Sequence, residues 1–245
     1  MMRAGNAEFS PQLYARLAGF FYLIVIVAGA IAEIFVRQQL VVANNAPATA
    51  NNILAHELLF RFGFAADLIA GLSVVPLIVL LYELLKVVNR RLALLALSFS
   101  LVGIAVQSTA LLGHFAPLIL LKRGHDLGVG QELLQAQTYM ALQLQGIGYA
   151  VALAFFGGTM LTRGYLVIRS GFLPRAIGVL LTLAGICYIV NSFVDFIAPA
   201  IASYAFALLI VPGIAETSLC LWLLIRGVNV ARWEALRSGG EAILR

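Results

Sequence analysis

Residues 58–84 read LLFRFGFAADLIAGLSVVPLIVLLYEL. A helix of ~20 apolar residues crosses a bilayer, and this run exceeds that length. It carries ionisable residues at Arg61, Asp67 and Glu83. Five further stretches have the same character, at about 15–36, 92–121, 138–161, 174–198 and 202–226. Of the 245 residues, 62% are hydrophobic and 11% charged, with mean hydropathy +0.98. A soluble domain is about one quarter charged. One soluble core cannot bury this much apolar surface, so the solvent is lipid. Strands of alternating polarity are absent, and an all-α integral membrane protein is expected: one domain over 1–245, a bundle of six transmembrane helices.

The basic residues orient the bundle. Of the 16, only Arg37, Arg61, Lys122 and Arg123 fall on the side opposite the termini. Arg3, Arg16, the Lys86–Arg91 loop, Arg163, Arg169, Arg175 and the C-terminal arginines share the other side. The positive-inside rule places both termini in the cytoplasm, and an even number of spans agrees. The net charge of +5 is therefore a topological signal and predicts no nucleic-acid partner. The run ending Ala28-Gly29-Ala30-Ile31-Ala32 has the small residues of a signal-peptide cleavage site. It continues apolar through Val36, so retention as the first span is expected. Cys187 and Cys220, the two cysteines, lie within spans without CxxC spacing and read as small core residues. The loops hold no separate soluble domain, which argues against receptor or kinase roles. A shared GxxY at Gly19–Tyr22 and Gly146–Tyr149 is too little to establish an internal repeat.

Polar residues fall in helical stripes. Gly19, Tyr22, Ile26, Gly29 and Glu33 share one face of the first span. Ser100, Gln107 and His114 recur in the third. Gln131, Gln135, Thr138, Gln145 and Tyr149 line the fourth, and Cys187, Asn191 and Asp195 the fifth. Lipid offers no hydrogen-bond partners, so these stripes are expected to face the bundle interior. Small and polar residues of this kind are also ordinary glue between membrane helices.

Ionisable groups carry more information. At a rise of ~1.5 Å per residue, Asp67 lies ~13 Å and His114 ~10 Å inside the outer edge of their spans. Glu33 is shallower, so Glu33, Asp67 and His114 are expected to meet in the outer third. Arg61 lies roughly 240° around the helix from Asp67 and is placed to reach Glu33 instead. Glu216 is near the midplane of LLIVPGIAETSLCLWLL, where a charge costs ~2.5–3.5 kcal/mol. Pro212-Gly213, just before it, predicts a kink or opening, a pattern found at transporter binding sites. HExxH, GxSxG, CxxC and P-loop motifs are absent. His56, His114 and His125 all lie on the outer half, without ligand spacing, and neither metal nor cofactor is expected.

Several stretches resemble a bacterial membrane-protein family catalogued as domain-of-unknown-function family 4386. They are ARLAGFFYLIVIVAGAIAEIFVR (15–37), LFRFGFAADL (59–68), LLYELLKVVNRRLALLAL (80–97), FFGGTMLTRGYLVIRSGFLPRAIGVLLTLAGICYIVNSF (155–193) and AETSLCLWLLIRGVN (215–229). The resemblance implies six helices in a bacterial cytoplasmic membrane and no established activity. It places Glu33, Arg61, Asp67, Tyr188 and Glu216 at motif positions. It also implies His at the place of Gln145 and Asp at the place of Asn191, so a mechanism needing either as acid or base does not transfer. Three functions follow as expectations. The first is a small-solute or proton-coupled transporter using Asp67 and Glu216. The others are an intramembrane enzyme acting on a lipid-like substrate, and a structural or assembly subunit held by ion pairs. The expected partners are the bilayer, a small-molecule ligand and, through the outward apolar faces, a second copy of the chain.

Overall fold

The computed structural model describes residues 10–124, 126, 128–202 and 207–243. These residues form helices and no strands. Six helices are long and apolar enough to cross a membrane: α1 (Pro11–Leu40), α3 (Glu57–Leu85), α4 (Arg90–Arg123), α5 (Gln131–Ser170), α6 (Arg175–Ile197) and α7 (Ala207–Ile225). The chain is an integral membrane protein. Among the described residues are also two shorter α-helices: α2 (Ala46–Ala55), between α1 and α3, and α8 (Val230–Ile243), after the last span. Large apolar side chains such as Leu72, Leu112, Met140 and Ile225 stay exposed on the outside of the bundle. In water that surface would be a severe penalty, whereas in lipid it costs nothing.

The spanning helices close a ring. In order around it, α1 packs on α3, α3 on α4, α4 on α5, α5 on α6, α6 on α7, and α7 back on α1. Glycines set the closest seam. A Cβ on Gly164 would meet the Gly178 carbonyl oxygen at 2.7 Å, and one on Gly178 would meet that of Gly164 at 2.8 Å. Gly157 and Gly185 repeat the arrangement one heptad away, at 2.9 and 2.8 Å. Only residues without side chains let two backbones approach this closely.

The two ends of the ring are tied differently. At the end carrying the termini, Gln12 donates to the Arg226 carbonyl (3.1 Å) and accepts from the Val228 amide (3.0 Å). The Trp233 indole N–H, on α8, donates to the Leu84 carbonyl (2.9 Å). Gly171, at φ 65°, ends α5 in the left-handed conformation and turns the chain towards α6. At the opposite end α2 packs against α3, α4 and α5, and the Asn44 amide donates to Tyr139 Oη (2.8 Å).

Three boundaries differ from the sequence expectation. First, α1 runs past Val36 to Leu40 through a π-helical stretch, Ile31–Arg37, so Arg37 belongs to the span and not to a loop. Second, α5 runs over Gln131–Ser170 rather than 138–161, which puts Arg163 inside it. Finally, α7 is a 3-10 turn over Ala207–Leu209 and becomes α-helical only at Ile210, against an expected span of 202–226. The α-helical part of α7 starts at Ile210 and continues unbroken through Glu216 to Ile225. Proline is therefore in the first turn, where its missing N–H has no carbonyl to serve.

Candidate functional site

Two groups of charged residues occupy the interior. The first lies towards the end opposite the termini. Arg37 donates from Nε to Glu33 Oε2 (2.7 Å) and from Nη1 to Asp67 Oδ2 (2.5 Å). The π-helical stretch carries both Glu33 and Arg37, and this irregular backbone often marks functional segments. Asp67 is buried, whereas Glu33 is nearly half exposed. Ala28, Ala32, Ala66 and Ala70 form the small-residue seam beside it. His114 is fully buried next to this group and does not join it. Its ring stacks on Phe60 at 4.3 Å, with Nε2 3.2 Å from the Phe60 carbonyl oxygen. Its Nδ1 has no hydrogen-bond partner among the described residues.

Arg61, expected to reach Glu33, is directed elsewhere. It pairs with Glu57, one turn earlier (2.8 Å), and its guanidinium lies over the Phe115 ring. Lys122 closes on the same Glu57 carboxylate (2.6 Å). This is a rim cluster at the mouth of the bundle. His56 is exposed beside it, and His125 lies outside the described residues. Among the described residues no three His, Cys, Asp or Glu side chains converge as metal ligands would.

The second group surrounds Glu216. The Tyr188 hydroxyl donates to Glu216 Oε1 (2.6 Å). Tyr22, also buried, faces the same carboxylate, but its hydroxyl makes no hydrogen bond of standard geometry. Tyr149, from α5, lines the same cavity as Glu216. Arg163 lies across from Glu216, only 4% exposed, and makes no ion pair or hydrogen bond among the described residues. All these side chains line one cavity of about 250 Å³. Every spanning helix contributes to its wall: α1 through Tyr22, α3 through Asp67, α4 through Gln107, α5 through Arg163, α6 through Tyr188 and α7 through Glu216. The cavity thus connects the two charged groups, with Asp67 and Glu216 facing one volume.

The polar stripes read from the sequence supply part of this lining. Tyr22, Ile26, Gly29, Ser100, Gln107 and Tyr149 all reach it. Arg37 and Arg163 escape a sequence reading because arginines at span ends look like insertion signals. A clue to Arg163 exists: apolar residues resume after it in GYLVI, so the span continues. Arg37 offers no such clue, because only the π-helical turn carries the helix beyond it.

Six apolar helices ringed around one cavity, mostly apolar but lined also by Asp67, Arg163 and Glu216, make this a multi-pass helical membrane protein. The chain belongs to the family described as Domain of unknown function (DUF4386), whose match covers residues 17–227. That range takes in Glu33, Arg37, Asp67, Arg163 and Glu216. The chain is also similar to an uncharacterised protein of Archaeoglobus fulgidus, 28% identical over 153 residues, or 62% of this chain and 76% of that one. No solved structure matches it.

Proposed function

We propose that the protein is a transporter-like carrier of a small solute, or of protons coupled to one, and that the ring cavity receives the cargo. The carrying observation is that Arg163 and Glu216 face one cavity without pairing to each other. Intramembrane charges are costly and tend to mark substrate or ion pathways. A purely structural pair would close on itself, because an ion pair recovers part of the cost of desolvation. The basic residues at the end carrying the termini support a cytoplasmic position for that end. The family resemblance supports a bacterial cytoplasmic membrane.

Purified protein in proteoliposomes tests this reading. Proton flux is followed with an internal pH dye, and small-solute entry by osmotic swelling. Flux above that of empty vesicles is expected, with loss in Glu216→Gln. Vesicles no more permeable than empty ones, or full flux in both Glu216→Gln and Asp67→Asn, would remove the proposal.

A second reading applies to one part of the molecule. The Arg37 bridge between Glu33 and Asp67 supports a structural role for those three residues, fixing α1 against α3. Under that reading their substitution lowers yield and melting temperature before it touches turnover.

A further inference from the structure

Resting on the reading of the cavity as a solute site, we propose that the cargo is a small zwitterion of the amino-carboxylate class. Its amine is held by Glu216 among the tyrosines, and its carboxylate by Arg163.

Charge balance carries the argument. The Asp67 carboxylate is bonded to Arg37, which it shares with Glu33; Glu33 is nearly half exposed and does not line the cavity. Glu216 and Arg163 remain, one acidic and one basic, both facing the cavity and not joined. A guanidinium has five N–H donors and no acceptor. At 4% exposure, Arg163 has lost most of its water, and buried charges are normally paired. A monopolar cation would satisfy Glu216 and leave Arg163 uncompensated; a monopolar anion would do the reverse. A doubly charged phosphate would leave excess negative charge. A molecule with one ammonium and one carboxylate matches both groups and brings no net charge into the low-dielectric bundle.

The surroundings of each charge agree. Tyr188 occupies one Glu216 oxygen, Tyr22 lies beside the same carboxylate, and Tyr149 lines the same cavity. A carboxylate bordered by aromatic rings suits an ammonium, which is attracted by both the charge and the ring faces. The Tyr22 hydroxyl is buried beside the Glu216 carboxylate without a hydrogen bond of standard geometry. On the Arg163 side, the planar guanidinium fork matches a carboxylate in bidentate fashion. The volume of about 250 Å³ falls below the ~300 Å³ at which pockets for drug-sized ligands begin, so the ligand is small.

The test uses full-length protein in detergent and three probe sets at equal concentration: the natural amino acids with glycine betaine; choline and simple alkylamines; and acetate and propionate. The readouts are thermal shift and isothermal titration calorimetry. At least one zwitterion is expected to raise the melting temperature in a concentration-dependent way. Its amine-only and acid-only counterparts should bind about tenfold weaker or worse, since each loses a charge-assisted partner. Arg163→Met and Glu216→Gln should each lower zwitterion affinity by a similar factor while gel filtration and circular dichroism stay native. If either variant fails to fold, Tyr188→Phe serves instead, with a smaller loss expected. Monopolar probes binding as well as any zwitterion, with sensitivity to these substitutions, would overturn the zwitterion and leave the solute cavity standing. No shift with any of the three sets would overturn both.

Discussion

The interior holds two arginines among carboxylates, and they are used in opposite ways. Arg37 is clamped: two of its nitrogens are taken by Glu33 and Asp67 at 2.7 and 2.5 Å. Arg163 is more deeply buried and has no partner among the described residues, although Glu216 lies across from it. Burial alone therefore does not distinguish a structural charge from an available one; pairing does. The clamped group sits where α1 and α3 meet over alanines, and closing it costs the chain no ligand site. The open group sits where all six helices back away from one another. There, an internal ion pair would seal the volume that the six helices share.

The largest effect should come from breaking the clamp. Arg37→Met leaves Asp67, whose side chain is 6% exposed, buried beside an apolar chain. Removing one partner of a buried pair costs about 3 kcal/mol or more. The expected readout is a large drop in the thermal unfolding midpoint in detergent. Asp67→Asn added to Arg37→Met should restore much of that loss, because the stranded charge is gone. If the double variant is no better than the single one, electrostatic pairing is not what Arg37 supplies.

Tyr188→Phe should act at an intermediate level. It removes the 2.6 Å hydrogen bond to Glu216 and so costs roughly 1.5–3 kcal/mol as a bond to a charged group. Tyr22 is beside the same carboxylate and can take over part of the role. A double-mutant cycle with Tyr22→Phe checks this: the pair should cost more than the two single losses added together. Strict additivity would mean that the two hydroxyls do not share Glu216. Glu33→Gln comes lower, at about 0.5 kcal/mol, because a partly exposed member of an ion pair contributes little.

This contrast was only half legible in the sequence. Hydropathy identifies six spans, and 3.6-residue periodicity places Tyr22, Gln107 and Tyr149 on inward faces that the cavity indeed uses. Asp67 and Glu216 stand out because carboxylates are rare in lipid. What the sequence conceals is partner choice. Arg61 was the expected mate for Glu33, but Glu57 is one favourable turn away and captures it. Arg37 becomes available only because a π-helical stretch extends α1, and no periodicity rule announces such a turn. Pro212 shows the same dependence on context. Its effect depends on where the α-helix starts, and with α7 becoming α-helical at Ile210 the proline falls in the permissive first turn. The separation of Asp67 from Glu216, and the cavity joining them, arise from the packing of distant helices and leave no local trace.

The smallest effect on stability is expected at the residue most exceptional in its setting. Arg163→Met replaces an unpaired, buried guanidinium with an apolar chain of similar length. Glu216 loses a nearby positive charge but keeps its hydrogen bond from Tyr188, whereas loss of Arg37 leaves Asp67 without its bonded partner. An unpaired buried ion carries a desolvation penalty of several kcal/mol, which an apolar chain does not. The unfolding midpoint of Arg163→Met should therefore stay level or rise, whereas that of Arg37→Met falls. Measured side by side in one detergent, the two variants test the comparison directly. A fall in Arg163→Met as large as that in Arg37→Met would show that Arg163 is holding the ring together. Its open appearance would then be a structural contact across the cavity, and the case for a cargo site would lose its main support. A level or raised midpoint combined with lost flux would mean that the chain tolerates a costly charge at that place for what it binds.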